Sequence, residues 1–302
     1  MFSAAACVIL SVGAFQAEPE AVAQEDQAAG TKAVEQKTVD TFVSYRGIVV
    51  GPDGKPVSGA KLYAQTSWEP GESMTPRAVS GEDGRFEFEL SSSDFDMPAF
   101  DRVGSRRAMV YAQAEGYGPD WQMRGNEDDF TFTLRLVGLG PPIEGRLLNL
   151  EGQPVSNATL SVIDIATSED NDLEPFIAAL PKAPGARDVE NKFLGKRASM
   201  SFSAFLLPPT KTGADGTFVF RRAGAGRMLS IQIEGPAIET QIVNAIPDTV
   251  DPVALDQYPG WREGGGCRYY GAKFDHVVAP SQVIAGIGRD MDTQDPSAGA
   301  PV

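Results

Sequence analysis

The chain of 302 residues is long enough for about two domains of ordinary size, each able to bury its own hydrophobic core. Its 41 acidic residues outnumber its 26 basic residues and give a formal charge of -15, which repels phosphate backbones and excludes nucleic acid as a partner. The 32 glycines and 22 prolines are scattered between apolar runs, as is typical of an all-β protein rich in turns.

The N-terminal residues predict a segment that stands apart from the folded domains. An apolar stretch at 4–15, predicted to form a short helix, is too short to cross a bilayer, and Ala21-Val22-Ala23 follows it like a cleavage site. Residues 1–23 are therefore predicted to be a signal peptide or a membrane anchor, although no basic residue precedes Lys32. Residues 24–42 predict a disordered tether. This arrangement predicts a secreted, periplasmic or cell-surface protein that meets a membrane only through its N-terminal segment.

Two phrases occur twice in the chain. The stretch RGIVVGPDGKPVSGAKLYA at 46–64 returns as EGRLLNLEGQPVSNATLSV at 144–162, an offset of 98 residues. Apolar residues alternate around a glycine-bearing turn in both copies, which predicts a β-hairpin. Further along, SGEDGRFEFEL from Ser80 matches TGADGTFVFRR from Thr212, and the paired phenylalanines predict a strand with one face in a core.

The repeated phrases predict the order of domains. The predicted segments are a first sandwich at 43–137, a second sandwich at 141–247, a connector at 248–282 and the truncated start of a third repeat at 283–302. A repeat that ends after its first hairpin lacks the strands that would close a sandwich core. The third copy is therefore predicted to dock onto the second sandwich or to continue in a longer protein.

An insertion at about 164–209 makes the second copy 34 residues longer between its two phrases. Its pattern predicts two short helices, near 174–180 and 187–196. Two interpretations of the insertion stay open. It is either a binding loop at one end of the sandwich or a flap that covers an edge strand.

The repeated motifs resemble the carboxypeptidase regulatory-like domain. In the first copy the resemblance is carried by Gly47, Asp53-Gly54, Pro56-Val57, Asp83-Gly84, Phe86, Phe88 and Gly116-Tyr117. The resemblance implies a transthyretin-like, carbohydrate-binding-like β-sandwich of roughly seven strands. It covers 43–137 well and 141–247 apart from the insertion. We therefore predict an all-β fold of tandem antiparallel Greek-key β-sandwiches, and the motifs imply a fold rather than an activity.

The inventory of reactive side chains argues against catalysis. His276 is the only histidine, so neither a Ser-His-Asp triad with a nucleophile elbow nor a zinc site with several nitrogen or sulfur ligands is predicted. Cys267 is the one cysteine outside the N-terminal segment. The glycine-rich stretch from Gly224 to Arg227 lacks the G-K-[ST] ending of a phosphate loop and predicts a turn. We predict no catalytic residue, no metal site, no cofactor and no enzyme.

Three aromatic residues carry the one hypothesis about a ligand. Trp68, Tyr117 and Trp121 lie in segments predicted as loops, where exposed rings beside polar groups can stack on sugars. The competing interpretation is that these rings cap the ends of the sandwich core.

The function predicted from these observations is that of a non-catalytic extracytoplasmic repeat protein, acting as a structural, spacer or adhesion module. Its predicted partner is a polysaccharide or another envelope protein. One alternative is a carbohydrate-binding module that uses the three rings. A second is that the chain consists of accessory domains of a larger enzyme or envelope protein.

Overall fold

The computed structural model describes residues 42–66, 75–95, 108–124, 130–183, 185–199, 201–247, 253–255 and 267–281, together with residues 289, 291 and 293. All of them belong to the compact unit Asp40–Val302. The predicted N-terminal helix and tether, Trp68 and nearly all of the predicted third repeat at 283–302 lie outside the described residues.

The described part of the first sandwich contains seven strands. They are β1 (Phe42–Val50), β2 (Lys61–Gln65), β3 (Ala78–Val79), β4 (Arg85–Ser91), β5 (Ala108–Gln113), β6 (Asp120–Arg124) and β7 (Phe130–Arg135). The sheet β4-β1-β7 and the sheet β3-β2-β5-β6 contribute to one core. In β4, the buried Phe86, Phe88 and Leu90 alternate with exposed residues, because successive side chains of a strand point to opposite faces.

The second sandwich repeats this arrangement and extends it. Its strands are β8 (Ile143–Leu148), β9 (Thr159–Thr167), β10 (Lys196–Ser199), β11 (Thr210–Lys211), β12 (Thr217–Phe220), β13 (Met228–Gly235), β14 (Ile238–Ala245), β15 (Val253–Leu255), β16 (Cys267–Tyr270) and β17 (Lys273–Val277). One sheet has the order β12-β8-β17, and the other has the order β10-β9-β13-β14-β16-β15 with β11 also paired to β9. The predicted all-β class is confirmed.

The pairing is not wholly antiparallel, which differs from the prediction. Strands β1 and β7, β8 and β17, and β14 and β16 run parallel. In each sandwich the final strand crosses from the larger sheet and returns beside the first strand in the same direction. Gly47 therefore lies between Phe86 and Phe132, and Gly145 lies between Phe218 and Phe274 in the same way.

The boundary predicted for the second sandwich at 247 is wrong, because the described part of the predicted connector 248–282 belongs to the sandwich. Strand β17 is the counterpart of β7 and places Phe274 in the core beside Phe218, with ring centroids 5.5 Å apart. Its sequence KFDHV hides this role, since the second inward residue is His276 rather than an apolar residue.

The described residues of the insertion form three short α-helices, a 3₁₀ turn at Leu180–Lys182 and strand β10. The helices are α1 (Glu174–Ala179), α2 (Ala186–Phe193) and α3 (Ser201–Leu206). The two predicted helices are present as α1 and α2. The second ends at Phe193 rather than at 196, where β10 begins, and α3 was not predicted. Because β10 pairs with β9, the insertion covers an edge of the sheet, as the second of the two open interpretations expected.

Candidate functional site at the junction of the two sandwiches

The sugar hypothesis predicts that Trp121 is exposed, and this prediction is wrong. Its side chain is 1% exposed and belongs to the hydrophobic core of the second sandwich, although the residue lies in the first. Tyr117 is half-buried against the core of the first sandwich, and Trp68 lies outside the described residues. Trp121 therefore presents no ring face to a sugar, and the three rings do not form an exposed platform within the described parts of the chain.

The second sandwich covers an aromatic sheet face of the first. On the outer face of β2 and β5, Tyr63 and Tyr111 stack with ring centroids 5.1 Å apart. Phe205 of α3 packs edge-on against both rings, at 5.1 Å and 5.5 Å. Strand β5 is consequently buried on both faces, which explains its uninterrupted apolar run AMVYA.

Three charged side chains from both sandwiches meet beside Trp121, and we call them the junction cluster. Asp120 Oδ1 accepts a hydrogen bond from Lys196 Nζ at 2.5 Å and lies 3.4 Å from Arg227 Nη2. The three side chains are 1%, 9% and 0% exposed, respectively. One carboxylate thus compensates two buried cations, which is a costly arrangement unless both cations stay in contact with it.

Neutral groups complete the environment of the junction cluster. Asp120 Oδ2 accepts the backbone N–H of Arg135 at 2.8 Å. Arg227 donates to Asn171 Oδ1 at 2.7 Å and to the carbonyl of Pro119 at 3.2 Å. Its guanidinium carbon also lies 4.8 Å from the centroid of the Trp121 ring, a distance suited to a cation–π contact.

Burial lowers the pKa of Arg227 to about 10, and the charge of Asp120 opposes this shift. Arg227 therefore remains charged at neutral pH. Within the described residues, Arg227 Nε and Trp121 Nε1 are buried without a hydrogen-bond partner.

The glycine-rich stretch before Arg227 makes a close backbone contact between the sandwiches. The N–H of Ala225 donates to the carbonyl of Gly138 at 2.8 Å, and the N–H of Gly224 donates to the carbonyl of Leu139 at 3.2 Å. A Cβ on Gly118 would lie 2.5 Å from Gly224 Cα. The turn predicted for this stretch is present, and its glycines permit this approach.

A second ionic network holds the insertion against the larger sheet of the second sandwich. Arg197 of β10 bonds to Asp164 of β9 and, at 3.0 Å, to Glu190 of α2. The hydroxyl of Tyr269 in β16 donates to Glu190 at 2.6 Å. These bonds join four elements, so the insertion has a defined position relative to the sheet.

His276 is buried, and both of its ring nitrogens are hydrogen-bonded. Its Nδ1 lies 2.9 Å from the hydroxyl of Tyr270, and its Nε2 lies 2.7 Å from Gln241 Oε1. The amide oxygen of Gln241 can only accept, so Nε2 carries the proton and Nδ1 accepts from Tyr270. Burial, with a smaller effect from Arg268, lowers the pKa of His276 to about 4, and the ring is neutral at physiological pH.

The low pKa of His276 predicts a specific loss of stability in acid. Since the pKa falls from 6.5 to about 4 on folding, the stabilisation is complete above pH 6.5 and is lost as the pH falls to 4. We expect this residue to reduce the free energy of unfolding by at most about 3 kcal/mol across that interval. Urea unfolding at several pH values, compared with His276→Gln, measures the contribution. Identical pH dependence in the two proteins would contradict it.

The described residues contain neither a metal-binding cluster nor a membrane-spanning helix. In those parts of the chain, no three His, Cys, Asp or Glu side chains come together in a way that could hold a metal ion. No helix among the described segments is long and apolar enough to cross a membrane.

The junction was not predicted from the sequence. Asp120 and Lys196 are 76 positions apart, and Asp120 and Arg227 are 107 positions apart, so no local motif connects them. The one sequence signal was the run Ala108–Ala112, which is apolar on both strand faces and indicates a strand covered on both sides.

No protein-family model matches the chain, and no curated protein matches it either. Among solved structures, the shaft pilin SpaA from Lactobacillus rhamnosus GG is 12% identical, covers 81% of this chain and 100% of its own, and has a TM-score of 0.24. The minor pilin GBS52 of Streptococcus agalactiae is 8% identical over 81% of this chain and 100% of its own, with a TM-score of 0.26. Hydroxyquinol 1,2-dioxygenase from Pseudomonas putida DLL-E4 is 13% identical over 47% of this chain and 57% of its own, with a TM-score of 0.24. Likenesses this distant carry no argument about the activity of this chain.

Proposed function

We propose that the chain is a non-catalytic, extracytoplasmic structural protein whose two sandwiches form one stiff spacer. The observation that carries the proposal is the junction. Side chains of both sandwiches enter one continuous hydrophobic cluster there, and the buried junction cluster lies beside its member Trp121. Independent domains usually meet through smaller and more polar interfaces that permit relative motion. Because each buried charge at the junction must stay beside its partner, the junction favours a single orientation of the two sandwiches.

We further propose that the two sandwiches are copies of a carboxypeptidase regulatory-like module. The repeated strand order and the equivalent pairing around Gly47 and Gly145 support this proposal, together with the motifs described above. This fold hosts many unrelated functions, so the assignment is one of architecture. The extracytoplasmic location rests on the predicted N-terminal segment at 1–23.

Stiffness is the property that tests the spacer proposal. Pulsed electron paramagnetic resonance measures the distance between two spin labels, one at Glu82→Cys in the first sandwich and one at Glu151→Cys in the second. The background carries Cys7→Ser and Cys267→Ser, so that no other cysteine is labelled. We expect one narrow distance distribution, because the junction permits one orientation. A label pair within the first sandwich, at Glu82→Cys and Glu115→Cys, gives the width of the distance distribution expected for a rigid body.

A distribution between the sandwiches much broader than this reference would contradict the spacer proposal. Replacing Phe205 by alanine in the labelled protein should broaden the distribution, since Phe205 of α3 contacts both Tyr63 and Tyr111. The alternative of a carbohydrate-binding module stays a prediction, but it now depends on Trp68 and Tyr117 without Trp121.

A further inference from the structure

An open groove of about 830 Å³ lies on the second sandwich, away from the junction cluster. It is lined by residues of β8, β11, β12 and β17. The charged residues in its lining are Glu144, Arg146, Lys211, Arg221, Lys273 and Asp275. The groove therefore contains four cations and two carboxylates, in a chain whose formal charge is -15.

Two of the four cations are neutralised within the groove. Lys273 Nζ lies 2.6 Å from Glu144, and Arg146 Nη2 lies 2.5 Å from Asp275. These partners face each other across the parallel strands β8 and β17, so each ion pair follows from the strand register.

The other two cations, Lys211 and Arg221, are exposed, and neither forms an ion pair within 4 Å with an acidic side chain of the described residues. The charge of Arg221 acts on Glu144 inside the groove. Lys273 is the main cause that lowers the pKa of Glu144, and Arg221 adds to that effect. At its β11 and β12 side, the lining itself thus has an excess of positive charge at Lys211 and Arg221, and Asp215 of the turn before β12 lies beside it, bonded to Thr217. The excess in the lining suits an anionic ligand.

Strand β12 also has a free edge on that side, because β8 is its one partner among the strands that the structure describes. The N–H of Leu147 in β8 donates to the carbonyl of Gly216. In an antiparallel pair every second residue bonds to the neighbouring strand, so Phe218 also bonds to β8. The backbone groups of the alternate residues, Thr217 and Val219, therefore point away from β8. Thr217 uses its outward groups within the preceding turn. The backbone N–H and C=O of Val219 have no hydrogen-bond partner among the described residues, and they can pair with an added strand.

The first sandwich does not reproduce this site. At the repeat offset of the second phrase, Lys211, Val219 and Arg221 correspond to Val79, Glu87 and Glu89. The same edge is therefore acidic in the first sandwich, and Glu87 is paired with Arg46 at 2.7 Å. The positive groove is a property of the second sandwich rather than a consequence of the fold.

We propose that this groove docks an extended acidic polypeptide segment, which adds to the edge of β12 at Val219 and places carboxylates near Lys211 and Arg221. The free strand edge favours a polypeptide over an anionic polysaccharide, because only a polypeptide can continue the backbone ladder. Alternation along an extended segment places every second side chain on the face toward the cations. The site goes beyond the spacer function and does not depend on it.

Fluorescence anisotropy with a labelled peptide of alternating Glu and Thr, about ten residues long, tests the proposal at low salt. The complete chain is expected to bind this peptide. The double variant Lys211→Glu with Arg221→Glu should weaken binding by about tenfold or more, since two attractions become repulsions. The matched control is Lys61→Glu with Lys182→Glu, which changes the net charge equally at exposed positions outside the groove and should weaken binding by no more than about twofold.

A peptide with N-methyl groups on alternate residues keeps the charges but cannot form the ladder, so its binding should be lost. Polygalacturonate, a carboxylated polysaccharide, should compete only weakly. The proposal is overturned if the peptide does not bind, or if the two double variants weaken binding equally. It is also overturned if the N-methylated peptide or polygalacturonate binds as well as the unmodified peptide, since the groove would then recognise charge without a strand.

Discussion

Replacing Asp120 by alanine is expected to lower the free energy of unfolding by about 3–5 kcal/mol, the range for removing one partner from a buried ionic group. The substitution leaves Lys196 and Arg227 charged and buried without their carboxylate. It also removes the acceptor for the backbone N–H of Arg135. Urea unfolding followed by fluorescence and circular dichroism measures the change at neutral pH.

The matched control is Asp275→Ala, which removes a carboxylate from an ion pair of similar length on the surface. Its side chain is 43% exposed and that of its partner Arg146 is 53% exposed, so we expect a loss below about 1 kcal/mol. Equal effects of the two substitutions would show that the junction cluster does not behave as a buried group.

A triple variant separates the effect of buried charge from that of lost packing. Asp120→Ala combined with Lys196→Met and Arg227→Met removes all three charges while the long side chains keep their volume. Buried ionic groups replaced together by apolar residues often cost little, so the triple variant should be more stable than Asp120→Ala alone. A triple variant less stable than the single one would assign the loss to packing.

Replacing Gly145 by alanine is expected to destabilise the second sandwich by about 3 kcal/mol or more, because the site has no room for a Cβ. A Cβ there would overlap the carbonyl oxygen of Phe274 and lie 3.1 Å from the ring of Phe218. The first contact is with the backbone of the parallel neighbour β17, so a side-chain rotation cannot relieve it. Thermal unfolding of the variant measures the loss.

Two further glycines make the test specific. Gly47 occupies the equivalent position, and its Cβ would overlap the carbonyl oxygen of Phe132, so Gly47→Ala should destabilise the first sandwich similarly. Gly138 has no atom within 4 Å of a Cβ built on it, and Gly138→Ala should change stability by less than about 0.5 kcal/mol. A mild effect at Gly145 would show that β8 and β17 are less closely paired than described.

Much of the fold was predictable because strands have a local signature. The repeated phrases marked the first two strands of both sandwiches, and the alternation of Phe86 and Phe88 with polar residues identified the inward face of β4. The helices α1 and α2 were predictable for the same reason, since their residues and boundaries are close in sequence. Such patterns report which face of an element is apolar.

They do not report what covers that face. The sequence by itself determined the all-β class, the tandem repeat and the shortage of catalytic groups around the single histidine. Only the tertiary structure decided that β17 closes the second sandwich and that Trp121 lies buried beneath Arg227. The physical reason is distance along the chain. Asp120 and Arg227 are 107 residues apart, and their contact exists only once two separately patterned sandwiches have packed together.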